Sequence, residues 1–380
     1  MKFNKWTLGL AALGVVSLTS AAKAEEKLNA VQSALSSTTI SGYVDTSAQW
    51  NFGDNGFMPP YAFGGVKKAD GFNLNVVQLT IAKPLDEGEW SAGYRADLWF
   101  GPDAVALGSQ MSGDLAIRQA YVALRAPVGN GLDFKVGVFD TIVGYETLES
   151  GANPNFTRSY GFTIEPTTHT GVLASYRFTD AISASFGVAD SFGPTVNGRS
   201  NPPMAESYKT YMGSLTLTAP SGWGWAAGST LYLGVINGYN AGMPLSGGGV
   251  ETHYYAGATM VTPVTGLKVG AALDYLDAYH GSSAPFNSLD HILVLAGYVS
   301  YQATEKLSLH GRGEYGVIRP TGSGDVDGWE LTGTVQYDLW KNVISRLELR
   351  WDHSDNFGVF GSSGNLKNAF MLAANVIYKF

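Results

Sequence analysis

The sequence predicts an all-β protein: a transmembrane antiparallel up-and-down β-barrel of about 16 strands, with short periplasmic turns and long extracellular loops. Three observations predict this fold: a final strand that ends on an aromatic residue, an N-terminal export signal, and connections that alternate between short and long. After the export signal, no apolar run approaches the ~20 residues that a transmembrane helix needs. A closed barrel is the remaining way to span lipid, because it satisfies its backbone hydrogen bonds internally.

The C-terminal residues 367–380 predict a strand with one apolar face. Its apolar side chains recur at every second position: Phe370, Leu372, Ala374, Val376, Tyr378 and Phe380. The final strand of an outer-membrane barrel closes the sheet and faces lipid, which explains a terminal aromatic residue. Val376, Tyr378 and Phe380 also resemble the assembly signal by which such proteins are handed to the outer-membrane barrel insertion machinery. An ordinary C-terminal strand is the alternative interpretation.

The N-terminus has the pattern of a secretory signal peptide. Lys2 and Lys5 precede an apolar run over residues 6–18, and Ala22 and Ala24 supply the small residues of a cleavage site. We therefore expect cleavage after Ala24 and export from the cytoplasm. A buried N-terminal helix is the alternative.

The chain divides into three expected parts. Residues 1–24 are the predicted signal peptide, and residues 25–38 are a short periplasmic segment with a helical hydrophobic pattern. Residues 39–380 are the predicted barrel. The expected location is the outer membrane of a Gram-negative bacterium, with outer-membrane lipids around the barrel.

Sixteen segments have the length and composition of membrane-spanning strands. We expect them at 39–52, 71–83, 88–100, 114–126, 131–139, 168–179, 181–191, 207–219, 222–236, 250–262, 265–279, 289–303, 305–317, 326–339, 342–354 and 367–380. The connections between them are alternately short, as at 84–87, and long, as at 140–167. This alternation is typical of a barrel with tight periplasmic turns and longer outer loops. A soluble sandwich or propeller also has many strands, but it does not usually sort its turns in this way.

Within the predicted strands, charged and apolar residues occupy opposite faces. In the fifteenth segment, Arg346, Glu348 and Arg350 alternate with Leu347 and Leu349. A charge on the lipid face costs about 2–4 kcal/mol at the midplane of the membrane. We therefore expect the charged face to line an aqueous lumen and the apolar face to contact lipid.

Three segments depart from this alternation. Arg118 shares its parity with the apolar residues Ala120 and Val122, which predicts a β-bulge or a position at the level of the lipid headgroups. The segments 250–262 and 289–303 also have weak parity.

The tryptophans of the predicted mature chain cluster near strand ends. Trp50, Trp99, Trp329 and Trp351 lie toward the long connections, and Trp90, Trp223, Trp225 and Trp340 lie beside short turns. Amphipathic rings at both rims are typical of a membrane interface. Aromatic residues that pack against turns are the alternative.

Composition and motifs disfavour several classes of function. The net charge of −8 argues against a nucleic-acid partner, and the lack of cysteine removes disulfides and thiolate metal sites. The six histidines are scattered, and the sequence contains neither a G-x-S-x-G nor an H-E-x-x-H motif. We therefore expect no enzymatic activity, no cofactor and no metal site.

The long connection 140–167 is the predicted constriction loop. Folded into the lumen, it would narrow the pore and set the local potential with its charges; folded over the rim, its charges would be solvated. The candidate loop residues are Glu146, Glu149, Asn153, Asn155, Arg158 and Glu165. The candidate wall residues are Arg95, Asp97, Lys135, Arg177, Arg312, Glu314, Arg346, Glu348 and Arg350. Basic wall residues opposite acidic loop residues would create a transverse field that favours polar solutes.

Several short runs around this loop resemble a known family. The runs are R-Q-A-Y-V at 118–122, P-V-G-N-G-L-D at 127–133, N-P-N at 153–155, R-S-Y-G-F at 158–162 and H-T-G at 169–171, together with segments 41–45 and 72–79. They resemble the OmpL-like beta-barrel porin family, most densely over 39–177. The resemblance implies an outer-membrane barrel with pore activity, and it implies no particular solute.

These expectations combine into a porin that lets small polar solutes and ions diffuse passively. Sixteen strands enclose a water-filled channel, whereas eight would be filled by side chains. By analogy with known porins, the count of sixteen strands suggests a homotrimer. Two alternatives remain: a non-conducting barrel that displays its loops for adhesion or a structural role, and a substrate-specific channel.

Overall fold

The computed structural model describes residues 37–52, 68, 70–109, 114–201, 204–240, 249–278, 289–320, 324–356, 358–361 and 363–380. The predicted signal peptide, 1–24, and residues 25–36 of the predicted periplasmic segment lie outside these residues. Both therefore remain predictions.

Sixteen strands, two short α-helices and two 3₁₀ turns make up the regular structure of the described residues. The strands are β1 (Thr39–Phe52), β2 (Gly71–Lys83), β3 (Ser91–Phe100), β4 (Leu115–Ala126), β5 (Leu132–Asp140), β6 (Thr168–Arg177), β7 (Ile182–Ala189), β8 (Thr210–Thr218), β9 (Thr230–Asn240), β10 (Gly249–Val261), β11 (Leu267–Ala278), β12 (Leu289–Gln302), β13 (Leu307–Pro320), β14 (Val326–Trp340), β15 (Val343–Ser354) and β16 (Asn368–Lys379). Helix α1 (Pro102–Leu107) follows β3, and helix α2 (Tyr160–Ile164) precedes β6. None of the described helices is long and apolar enough to cross a membrane.

The strands form a closed antiparallel barrel in chain order, and β16 pairs with β1 to complete it. Gly42 and Phe380 exchange two backbone hydrogen bonds of 3.0 Å, so the last residue of the chain takes part in closing the sheet. Val376, Tyr378 and Phe380 lie on the exposed outer face of this seam. The predicted fold class and strand count are confirmed.

The predicted strand positions are also largely right, with one clear error at β9. The prediction placed this strand at 222–236, but it begins at Thr230, after a 3₁₀ turn at Ser221–Ala226. Trp223 and Trp225 of this turn are exposed. Tryptophan and glycine alternate here as the residues of a strand would. The segment is instead a turn, which places two tryptophans at the rim.

The outer and inner faces of the barrel differ in polarity as predicted. On β15, Leu347 and Leu349 are each 53% exposed, whereas Glu348 and Arg350 are fully buried. Because the exposed row is apolar, the outside of the barrel suits lipid, and the charged row points into the barrel.

Six of the eight tryptophans predicted at the rims are exposed, Trp351 is half-buried, and Trp99 is buried. Trp50, Trp90, Trp223, Trp225, Trp329 and Trp340 are exposed. Trp99 was expected near the long-loop rim, but it is 1% exposed and its indole Nε1 donates a 2.7 Å hydrogen bond to Gln78 Oε1. The physical reason is parity, because Trp99 shares the inward face of β3 with Arg95 and Asp97.

Arg118 breaks the alternation of β4 because it lies in a β-bulge. Gln119 pairs with Asp97 and Ile117 pairs with Leu98, so Arg118 has no partner of its own on β3. The extra residue turns both Arg118 and Gln119 inward, where they are buried. Of the two explanations offered by the sequence, the bulge is the one observed.

Much of the inner face on one side of the barrel is apolar. Met212, Ile236, Leu276 and Ile292, from β8, β9, β11 and β12, are buried and form one cluster with Phe192. This explains the weak parity predicted for 250–262 and 289–303, since the inner face of these strands is covered by protein as well. The polar inner face predicted from the other strands therefore does not extend to this side of the barrel.

Candidate pore constriction

The connection between β5 and β6, residues 141–167, lies inside the barrel and is called the inner loop below. It contains a 3₁₀ turn at Ser150–Ala152 and helix α2, whose first backbone turn is capped by Ser159 accepting from Phe162 N. Phe156 of the loop packs against Met371 and Ala373 on the inner face of β16. The loop therefore covers part of the inner wall.

Alternating charges on β15 bind the backbone of the inner loop. Arg346 donates to the carbonyl oxygen of Asn153 at 2.7 Å, and Arg350 donates to the carbonyl oxygen of Arg158 at 2.6 Å. Between them, the Glu348 carboxylate accepts from the backbone N–H groups of Phe156 and Thr157 at 2.6 and 2.9 Å. These three side chains of β15 thus donate to carbonyl groups of the loop and accept from its amide groups. They satisfy backbone hydrogen-bonding groups that have no partner in the sheet.

A second set of ionic contacts lies around Arg312 on β13. Its guanidinium is fully buried and lies 2.7 Å from Glu146 of the loop, 3.3 Å from Glu314 and 3.1 Å from Glu330. Glu314 in turn accepts from the backbone N–H of Tyr160 at 2.9 Å. Three carboxylates surround this arginine, so its charge is more than compensated, and the cluster binds the loop to the wall.

Apolar contacts hold the opposite side of the inner loop. Ile142, Val143 and Ile164 join the large apolar cluster that includes Phe139 and Met212. Leu148 and Phe162 join another cluster with Tyr43, Trp99 and Leu107, the last of which is in α1. The loop is therefore packed on both sides as a fixed part of the interior.

The remaining predicted loop residues shape the loop itself. Asn153 accepts from Thr147 N at 2.8 Å and donates to the carbonyl oxygen of Thr147 at 2.7 Å. Asn155 donates a 2.7 Å hydrogen bond to the hydroxyl oxygen of Thr334 on β14. Arg158 donates to the carbonyl oxygen of Phe156 at 3.1 Å, and its guanidinium lies over the Phe162 ring.

Glu165, at the end of α2, is buried in an acidic environment. Burial first, and then the adjacent Asp274 carboxylate of β11, raise the pKa of Glu165 well above its usual range. Asp274 also lies 3.0 Å from His253 Nε2 on β10. The loop end is thus held against β10 and β11 by a carboxyl pair, in which protonation of one member relieves repulsion.

Three of the predicted residues are partly exposed inside the barrel. Arg95 is 32% exposed and binds Asp97 at 2.9 Å, while Glu149 is 33% exposed on the loop. Lys135 is half-buried with its ammonium 5.0 Å from the centre of the Tyr121 ring, and it forms no ion pair within the part of the chain described. Among the predicted loop and wall residues inside the barrel, these three side chains remain partly exposed.

Arg118 lies among three carboxylates near these side chains. It lies 2.6 Å from Asp140, 3.4 Å from Asp97 and 3.9 Å from Glu149, and it is 3% exposed. Neither Arg118 nor Asp140 was among the site residues predicted from the sequence. A signal was present, since two consecutive polar residues, Arg118 and Gln119, interrupt an otherwise alternating strand.

Other residues lie apart from this site or were missed. Arg177 is at the short-turn rim, 66% exposed and 2.9 Å from Asp180, so it does not join the other wall residues. Tyr160 of the inner loop donates its hydroxyl hydrogen bond to Asp352 of β15 at 2.6 Å, and Asp352 was not among the predicted wall residues. Across the described ranges, no group of three or more histidine or acidic residues is placed to hold a metal ion.

Comparison with known proteins identifies the family. A family described as "Putative beta-barrel porin-2, OmpL-like" matches residues 37–380. No curated protein matches the chain.

Solved structures with a similar fold are outer-membrane proteins. The anion-selective porin from Comamonas acidovorans has a TM-score of 0.62 at 13% identity, covering 90% of this chain and 99% of the porin. The outer membrane channel DcaP of Acinetobacter baumannii has a TM-score of 0.59 at 13% identity, covering 90% and 97%. The trimer form of OmpT, an outer membrane protein of Vibrio cholerae, has a TM-score of 0.56 at 13% identity, covering 90% and 99%. The chain belongs to the OmpL-like beta-barrel porin-2 family and is a porin, a channel-forming barrel of the outer membrane.

Proposed function

We propose that small polar solutes and ions diffuse through a gap between the inner loop and the wall formed by β3, β4 and β5. One observation carries this proposal: Arg95, Lys135 and Glu149 are partly exposed, whereas the predicted wall residues of β13 and β15 are buried beneath the loop, namely Arg312, Glu314, Arg346, Glu348 and Arg350. No energy source is needed for such a route, because solutes follow their own gradients.

The charges at this gap set its selectivity. Arg95 is bound to Asp97, and Arg118 is bound to Asp140, so these pairs nearly cancel. Lys135 and Glu149 are left as the least compensated cation and anion of the gap. A positive wall and a negative loop create a transverse field that orders water and favours polar solutes over apolar solutes of equal size.

Reversal potentials in planar bilayers test the route. With a salt gradient across the membrane, Glu149→Gln is expected to shift the permeability ratio toward anions, and Lys135→Gln is expected to shift it toward cations. Arg177→Gln is the matched control, because this rim residue is paired with Asp180 and well exposed. Unchanged reversal potentials in both test variants would place the route elsewhere.

Processing and assembly are proposed on the sequence signals and the fold. A leader cleaved after Ala24 predicts that protein recovered from the outer membrane begins at Glu25, which N-terminal sequencing measures. Phe380, Tyr378 and Val376 lie exposed on the closing strand, and this supports a role as the assembly signal read by the insertion machinery. Deletion of Phe380 should reduce the folded fraction in the membrane without changing synthesis.

We infer a homotrimer from the similarity to the trimer form of OmpT. Light scattering of the detergent-solubilised protein, corrected for detergent, should then give about three times the mass of one chain. A single-chain mass would contradict this inference and leave the proposed route intact.

A further inference from the structure

A cavity of about 670 Å³ lies on the short-turn side of the inner loop. Loop residues Gly144, Tyr145 and Asn153 form its roof, and the inner wall from β9 to β14 forms its sides. Thr230 opens β9 and Gln302 closes β12, so the cavity is at the short-turn end of the barrel. Its volume lies within the roughly 300–1,000 Å³ typical of small-molecule sites.

The cavity is lined by neutral hydrogen-bonding groups. They include Thr230, Thr259, Ser300, Gln302, His310 and Gln336. Hydroxyl and amide groups both donate and accept, as the hydroxyl groups of a carbohydrate do. Among the described lining residues, Lys268 is the one with a permanent charge, and it is exposed at the edge.

The charged side chains nearest to the cavity already have partners. Arg346 donates to Gln336 Oε1 at 3.2 Å and to the Asn153 carbonyl oxygen at 2.7 Å, and Lys379 donates to the Gly151 carbonyl oxygen at 3.1 Å. Arg312 is two positions from His310 on the inner face of β13, but it is fully buried under the loop and balanced by Glu146, Glu314 and Glu330. An ionised solute that entered the cavity would therefore lose hydration, and among the described lining residues it would find Lys268 alone as a compensating charge. A neutral polar solute does not pay this electrostatic cost.

Fixed aromatic side chains complete the lining. Tyr145 stacks on Tyr298 with ring centroids 3.9 Å apart, and Tyr232 meets Tyr255 edge to face at 6.0 Å. These contacts hold the rings in place before any solute arrives. A tyrosine combines an apolar ring, which suits the C–H face of a sugar, with a hydroxyl that bonds to polar groups.

His310 provides a specific contact point. Its Nδ1 lies 2.9 Å from the Ser300 hydroxyl, whereas its Nε2 has no hydrogen-bond partner among the described residues although it is shielded from the surface. A polar atom without a partner is unfavourable, so a change in the His310 ring orientation that let Nε2 bond to a ligand hydroxyl would be favourable.

We propose that this cavity binds a neutral polyhydroxylated solute of sugar-like chemistry and thereby makes the porin selective for carbohydrates. The inference rests on the proposed pore function, since it names the solute class of that channel. Solute bound beneath the inner loop would lie on the periplasmic side of the gap at Lys135.

Equilibrium binding tests the proposal independently of conduction. Maltotriose is titrated into the folded, detergent-solubilised mature protein, and binding is measured by calorimetry. Polyethylene glycol of equal mass is the control for solute size, because the ether oxygens along its chain accept hydrogen bonds but do not donate them. Citrate is the control for solute charge. The expected result is saturable binding of maltotriose and none of the other two.

Substitutions locate the site. His310→Ala and Gln302→Ala should each weaken maltotriose binding by about tenfold, which is the usual effect of losing one good hydrogen bond. Ser183→Ala, on the inner face of β7 and outside the cavity, is the matched control and should bind as the parent does. Heat-modifiable mobility on gels checks that every variant contains a folded barrel.

Each outcome decides between the two proposals. Absence of maltotriose binding to folded protein, equal binding of polyethylene glycol, or preferential binding of citrate overturns the carbohydrate site. Equal binding by His310→Ala, Gln302→Ala and the parent also overturns it. A negative binding result leaves the reversal-potential test of the pore unaffected. Sugar binding by a protein that does not conduct ions would refute the proposed pore route and not the binding site.

Discussion

The Arg312 guanidinium and the Glu146 carboxylate are 2.7 Å apart, and both side chains are completely buried. This pair joins a wall strand to the inner loop across a sequence separation of 166 residues. The attraction within a buried ion pair adds little to the net stability of the fold. Removal of one partner, however, leaves a buried charge or hydrogen-bonding groups without a partner. The pair therefore fixes where the loop lies, and its disruption should be costly.

Glu146→Ala should reduce the free energy of unfolding by about 3 kcal/mol, because it also leaves the Ser159 N–H without its 2.8 Å acceptor. Urea unfolding in detergent measures the effect. The matched control is Asp133→Ala, which breaks a pair with Arg125 in which both side chains are about one-third exposed. Such a pair contributes about 0–1 kcal/mol. Equal losses in the two variants would show that the inner loop is not anchored through Glu146.

Glycine at position 137 is required by close packing between β4 and β5. Its φ is +132°, and a Cβ atom there would overlap the carbonyl oxygen of Ala120. Gly137→Ala should therefore cost about 1–3 kcal/mol of stability. Gly333→Ala on β14 is the control, because a Cβ atom there meets nothing within 4 Å. It should be neutral or stabilise by about 0.5 kcal/mol, and a comparable loss in both variants would contradict the packing account.

Asp103 in α1 should make stability depend on pH. Burial raises the pKa of this carboxyl from 3.8 to about 6, although its ion pair with Lys68 opposes the shift. Asp45 raises the pKa further, and Arg158 lowers it. Because the folded state holds the proton more tightly, the contribution is full below pH 3.8 and is lost as pH rises through about 6.

The expected loss across this pH window is on the order of 3 kcal/mol, at 1.36 kcal/mol per pH unit of pKa difference. Unfolding of the parent and of Asp103→Asn is compared from pH 4 to about 7, and the difference between the two stabilities should fall as pH rises. Asp86→Asn is the control, since Asp86 is in an exposed turn and its pKa is lowered by the Gly88 N–H. A flat difference for Asp103→Asn would refute the assignment.

The barrel itself was predictable from local patterns. Alternation of the kind seen at Leu347, Glu348 and Leu349 fixes which face of a strand is apolar, and the turns fix the order of strands. Alternation also explains the error at Trp99. This residue was predicted at the membrane interface, although it is two positions from Asp97 and therefore lies on the same inward face of β3. Tryptophan suits both settings, so composition alone could not decide.

The arrangement of the inner loop was less accessible to sequence reasoning. Glu348 and Arg350 were selected as charges that face the lumen, yet both are sealed by the loop backbone, whereas Lys135 is not. Which ionised groups pair with a distant loop and which meet solute depends on contacts across more than a hundred residues. Alternation reports the face of a residue, and it carries no information about what covers that face.

The most direct test uses cysteine accessibility, because the natural chain contains no cysteine. Lys135→Cys and Thr334→Cys are recorded as single channels while a charged methanethiosulfonate reagent is added. Thr334 is 3% exposed and bonds to Asn155 and Glu348 beneath the loop. The account predicts a stepwise change of current for Lys135→Cys and none for Thr334→Cys. Modification of Thr334→Cys at a similar rate, or an unchanged current after modification of Lys135→Cys, would contradict a route between the inner loop and the β3–β5 wall.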